Sequence, residues 1–152
     1  MRASILVVAL VALLVAGCGS SPETVSKAEY QKELQRIGQD LTDAGSELGR
    51  SIDIATFNGN VDNLREHLGD AADDLRGMKP PEDVQAANKQ LADALDDFAD
   101  ELEPVKDARR ESIVKARAAL LRVSKSDAVR RARAATRELK AKGYDIGQFG
   151  SL

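Results

Sequence analysis

The chain has 152 residues, 31% charged and 43% apolar, with no Trp, one Cys, two Tyr and three Phe. That excludes a disordered composition, an internal disulfide and a core built on aromatic rings, and the length suits one domain. The net charge of −3 hides a division: Cys18–Glu103 carries 8 Lys/Arg against 20 Asp/Glu, and Pro104–Leu152 carries 13 against 5, so the two parts either attract each other within one bundle or leave a basic face for an anionic surface.

Arg2 is the only charge before Glu23, and Ala3–Ala16 is apolar apart from Ser4. A short positive start followed by such a run is the pattern of a secretion signal. The run is shorter than the roughly 20 apolar residues that a membrane-spanning helix needs. It ends in Leu14-Val15-Ala16-Gly17-Cys18: an aliphatic residue, two small residues and a cysteine. This segment resembles the lipobox of bacterial lipoproteins, with Val15 where leucine is commoner. The resemblance implies that residues 1–17 are a signal peptide and that diacylglyceryl is transferred to the Cys18 sulfur. It further implies cleavage of the Gly17–Cys18 bond, with acylation of the new amino group to follow. The chain would then sit on the extracytoplasmic face of the cell membrane, with the bilayer as its partner through Cys18. Each buried CH₂ contributes roughly 0.8 kcal/mol, so two or more acyl chains anchor stably. Residues 18–25, rich in Gly, Ser and Pro, read as a tether. Gly19–Val25 would span at most about 25 Å.

A helical segment is expected from Ser26, because Ser26-Lys27-Ala28-Glu29 has the form of a capping box. Tyr30, Leu34, Ile37, Leu41, Ala44 and Leu48 follow at alternating steps of four and three, a heptad seam. Gly38, Gly45 and Gly49 weaken this helix unless a close helix neighbour needs the space. Asn58-Gly59-Asn60 reads as a break. A second seam is Val61, Leu64, Leu68, Ala71, Leu75 and Met78, stopped at Lys79-Pro80-Pro81. Pro81 is suited to open a third helix, whose seam is Val84, Asn88, Leu91, Leu95, Phe98, Leu102 and Val105. Pro104 either kinks that helix or divides it. The pattern resumes at Ala108, Ile113, Ala116, Leu120 and Val123. Ser126 is placed to cap a last helix with Val129, Ala132, Ala135 and Leu139, and Gly143 to close it. Residues 144–152 carry apolar side chains among glycines. They are expected to fold back over one end of the bundle, to serve as a docking peptide or to fray.

Three sets of charged residues stand out. His67 is the sole histidine, and it lies beside the second seam. Asp70, Asp73 and Asp74 share one face of that helix, and Asp93, Asp96, Asp97 and Asp100 share a face of the next. Such carboxylates suit a divalent cation only when several converge, and no EF-hand loop is present. They read as solvated acidic faces, and His67 as a surface or boundary residue. Arg130, Arg133 and Arg137 share a face of the last helix, with Arg131 to one side. Without interleaved aromatics or a nucleic-acid motif, this face points to pairing within the bundle or to an anionic lipid surface. No G-x-S-x-G, glycine-rich phosphate loop or H-E-x-x-H occurs in the chain, so no catalytic, cofactor or metal set is assigned.

The fold class expected is all-α: an elongated antiparallel bundle of about four helices over residues 26–143, with the tail at 144–152. In general style the chain resembles small, Ala-rich helical lipoproteins of high-GC actinobacteria, a resemblance that carries no activity with it. The expected function is a non-catalytic envelope module that binds an envelope protein or supports structure. The alternative is a binding module for an anionic lipid, envelope polymer or cation.

Overall fold

The structure, a computed structural model, describes residues 24–51 and 53–151. The expected signal peptide, Cys18 and the tether as far as Glu23 lie outside the described residues. Among the described residues the chain is helical, with no strand. Six helices follow in order: α1 (Lys27–Gly49), α2 (Ile54–Gly77), α3 (Gln85–Glu101), α4 (Glu103–Glu111), α5 (Ile113–Val123) and α6 (Asp127–Ala141). Two 3-10 turns lie at Glu82–Val84 and Gly147–Ser151.

Capping chemistry explains most of the boundaries. The Ser26 hydroxyl accepts from the Glu29 N–H, and the Glu29 carboxylate accepts from the Ser26 N–H, which satisfies two donors that the first turn leaves unpaired. These two bonds hold the Glu29 carboxyl below its ordinary pKa. α2 begins earlier than Asn58-Gly59-Asn60 suggests. Its cap is Asp53, whose carboxylate accepts from the Thr56 N–H at 2.8 Å. The weak helix formers are absorbed into α2, where Asn60 ties α2 to the end of α1. Its amide donates to the Glu47 carbonyl at 2.9 Å and to the Ser51 hydroxyl at 3.0 Å, satisfying an acceptor in the last turn of α1.

The third segment also differs in detail. Pro81 precedes the 3-10 turn, and α3 proper starts at Gln85. Pro104 divides rather than kinks: it sits in the first turn of α4, where a missing N–H costs nothing. A further break falls at Ser112, whose backbone is extended and whose hydroxyl accepts from the Lys115 N–H at 3.1 Å. Ser126 caps α6 as expected, accepting from the Val129 N–H at 3.3 Å.

Side-chain bonds set the helix directions. The Asn88 amide, early in α3, donates to the Leu75 carbonyl late in α2, and Arg65, in the first half of α2, donates to the Ala99 carbonyl late in α3. α2 and α3 are therefore antiparallel. The Val25 N–H bonds to the Lys79 carbonyl, which puts the start of α1 beside the end of α2. Arg131 early in α6 pairs with Asp97 late in α3. The neighbours run α1–α2–α3–α6, and α4 and α5 form a pair of which α4 packs on the first half of α2.

The tail completes the core. Gly143, at φ +76°, takes a conformation that glycine adopts without penalty. The Gly143 N–H bonds to the Lys140 carbonyl and the Tyr144 N–H to the Leu139 carbonyl, a Schellman-type closure that reverses the chain. The following residues run along α1 beside α6 rather than across one end. Tyr144, Ile146 and Phe149 are buried there with Tyr30, Leu34 and Ile37. Gly38 makes this possible. A Cβ on Gly38 would lie 2.9 Å from the Phe149 backbone nitrogen and 3.0 Å from its ring. A Cβ on Gly45 or Gly49 would meet nothing within 4 Å, so of these three only Gly38 answers to a close neighbour, and that neighbour is the tail.

Candidate functional site

Four surfaces carry the side chains from which function can be argued. The first is a cleft of 320 Å³ between α1 and α2, lined by Asp40, His67, Asp70, Asp73 and Asp74, with Arg36 among them. His67 and the α2 acids line this one cleft. Arg36 already occupies the carboxylates, pairing with Asp40 at 2.8 Å, with Asp74 at 2.5 Å and with Glu33. A resident guanidinium opposes a second cation at the same oxygens. No group of three or more His, Cys, Asp or Glu side chains is placed to hold a metal ion among the described residues.

The second surface is the acidic face of α3. Asp96 pairs with Arg76 at 2.8 Å, Asp93 with Lys89 at 2.5 Å and Arg76 at 3.5 Å, and Asp97 with Arg131 at 2.5 Å. Lys89 first, and Arg76 second, hold the Asp93 carboxyl below the usual carboxylate range. Asp100 makes no ion pair among the described residues. These carboxylates stand one-third to over one-half exposed, where a pair contributes only about 0–1 kcal/mol. They align α2, α3 and α6 and supply no enclosed acid–base pair.

The basic face of α6 is divided. Arg131, which spacing puts to one side, is the residue that reaches α3. Arg130 turns back on its own helix end, pairing with Asp127 at 2.7 Å and donating to the Lys125 carbonyl at 3.0 Å. Arg133 borders an apolar cavity of 170 Å³ between α3, α6 and the tail, with Phe98, Val129 and Phe149. Arg137 is exposed.

The fourth surface is one that the heptad reading misses. On α5 only Ala116 and Ala119 are buried, and Ile113, placed in the seam by its spacing, stands 45% exposed. Val114 and Leu121 are 72% and 61% exposed. A signal for this existed: Val114, Ala118 and Leu121 fall at i, i+4 and i+7, and no Asp or Glu occurs between Ser112 and Ser126.

Several serine hydroxyls are committed to the backbone. Ser26, Ser112 and Ser126 cap helices, and Ser51 and Ser124 donate to the Glu47 and Leu121 carbonyls. Tyr30 is likewise committed: its hydroxyl donates to Asn88 Oδ1 at 2.9 Å inside the core, and burial pushes its phenol above the ordinary range. Comparison of the chain with family models, with curated proteins and with solved structures finds no match, so the residues and their geometry alone carry the functional reading.

Proposed function

We propose that this chain is a membrane-anchored envelope lipoprotein, cut before Cys18 and held by acyl chains on the extracytoplasmic face of the cell membrane. There it acts without catalysis, as a helical module that binds an envelope protein or supports structure. The observation that carries this reading is the run from Arg2 through Ala3–Ala16 into Leu14-Val15-Ala16-Gly17-Cys18. A secretion signal needs a positive start and a short apolar run, and the small residues before Cys18 admit a peptidase to the backbone. Ser26, the cap of α1, follows Cys18 by eight residues, so the bundle would stay close to the bilayer. No helix among the described residues is long and apolar enough to cross a membrane. A second reading, binding of an anionic lipid or envelope polymer, is favoured by the acid-free stretch 112–126 around α5.

The test is metabolic labelling with a fatty acid together with membrane fractionation. Cys18→Ala is expected to abolish the label and to move the chain into the soluble fraction. A native protein with an intact Met1 and an unmodified Cys18 sulfur, read by mass spectrometry, overturns the anchor. Crosslinking on intact cells would then identify the partner.

A further inference from the structure

Of the four large apolar side chains that stand exposed among the described residues, three lie on α5: Ile113, Val114 and Leu121. Helical geometry puts Val114, Ala118 and Leu121 in one row. Arg117 borders that row on one side, and Lys115 and Arg122 border it on the other. Arg117 and Arg122 make no ion pair among the described residues, and Lys115 pairs with Glu111 of α4. From Ser112 to Ser126 there are four basic residues and no acidic one. An apolar row flanked by cations is the pattern of a helix lying in a membrane interface, where the row enters the acyl boundary and the cations meet lipid phosphates. A protein partner would have to match both features at once; an anionic bilayer does so by composition.

We propose that α5 is a second membrane contact, docking its Val114–Ala118–Leu121 row onto an anionic lipid surface. The inference rests on the lipid-anchor reading only for the nearness of the bilayer. It carries a geometric consequence. α4 packs on the first half of α2, with Arg109 5.8 Å from the centre of the Phe57 ring and Lys106 2.7 Å from Asp62. The start of α1 lies at the other end of α2, beside Lys79. Phe57 and Gly77 are about 30 Å apart along the helix at 1.5 Å per residue. A bundle standing upright on its N-terminal tether would hold α5 well clear of the lipid. The two contacts together exclude that upright arrangement, and the tether, with its reach of at most about 25 Å, lets the bundle tilt until α5 meets the lipid.

The chain contains no Trp, so Leu121→Trp introduces a single reporter into the full-length protein. Asp73→Trp, in the acid-lined α1–α2 cleft, is the comparison. Each is mixed with phosphatidylcholine vesicles carrying brominated acyl chains, with and without phosphatidylglycerol. On the anionic vesicles the emission at position 121 is expected to shift blue and to be quenched, with loss of both effects at high salt. The reporter at 73 is expected to stay in water. Arg117→Gln and Arg122→Gln should each weaken the lipid-contacting state about fivefold, the worth of one basic residue near such a surface. Sedimentation of the chain with vesicles reads the anchor separately. A chain that pellets while position 121 stays aqueous overturns the α5 contact and leaves the anchor standing. A chain that pellets with neither vesicle overturns both. Equal quenching at 121 and 73, or a vesicle-independent shift at 121 that grows with protein concentration, also overturns the proposal, the latter in favour of a second copy.

Discussion

Where the tail meets α1, Tyr30 and Phe149 are 0% and 1% exposed, whereas on α5 Val114 and Leu121 are 72% and 61% exposed. Both regions are rich in apolar side chains; they differ in what surrounds them. Tyr30 is fully enclosed, with α3 and the tail supplying its named partners. Its hydroxyl reaches Asn88, whose amide donates to the Leu75 carbonyl at 2.7 Å. Its ring meets Tyr144 edge-on at 5.6 Å, Lys27 lies over the Tyr144 ring at 4.5 Å, and the Tyr144 hydroxyl donates to Asp83 at 2.9 Å. α5 packs chiefly against α4, and a helix with one neighbour buries one stripe and leaves the rest to solvent. A segment with few buried apolar contacts opens at lower free energy than the core around it. Within one molecule, the tail end is therefore closed by its neighbours, and the α4–α5 pair leaves an apolar row open to solvent.

The sharpest way to break this contrast is Phe149→Ala. If the tail is a wall of the core, the loss should be about 3–5 kcal/mol, as for other buried Phe residues, read from denaturant unfolding. A loss within about 0.5 kcal/mol, the range of surface positions, would show that the tail is no wall of the core and remove the contrast.

Tyr30→Phe comes next. It leaves Asn88 Oδ1 without its donor, at a cost of about 1–3 kcal/mol. It also has a pH signature. Burial raises the Tyr30 phenol above its ordinary value, with Tyr144 and Asp83 adding to the shift. Above about pH 10 the unfolded chain releases this proton and the folded chain retains it. The stabilisation is thus fully present below that pH and is lost as pH rises through the folded value. Melting temperatures taken across this range should fall less steeply for Tyr30→Phe than for the parent. Part of the slope remains, because burial and the Asp83 hydrogen bond also raise Tyr144. Parallel curves would show that the Tyr30 hydroxyl is not enclosed.

The smallest effect is expected on α5, where Leu121→Gln should change stability by no more than about 0.5 kcal/mol, as for other surface positions. A loss near that of Phe149→Ala would mean that α5 is buried in solution, and the two regions would no longer differ.

The helical seams were legible because burial in a bundle imposes a period that Tyr30, Leu34, Ile37 and Leu41 display without any knowledge of partners. So were the serine caps at 26 and 126, which act over three residues. Asn58-Gly59-Asn60 misled because propensity is a weak prior that tertiary contacts override: Asn60 is held inside α2 by its bonds to Glu47 and Ser51. Ser112 escaped notice because the apolar spacing continues across it. At the candidate surfaces, the shared face of Asp70 and Asp74 follows from helical period alone. Their neighbour Arg36 comes from α1, and no spacing within α2 predicts that contact.

The sequence alone determines the helical class and the seams, because both follow from local periodicity and short-range capping. It also supplies the whole argument for an anchor at Cys18, which rests on a contiguous motif. Only the tertiary structure decides that the tail lies along α1 at Gly38, that Arg131 rather than its neighbours reaches Asp97, and that α5 keeps its apolar row in solvent. Each of these depends on which elements end up side by side, and distance in space between residues far apart in the chain is not written in the spacing of either segment.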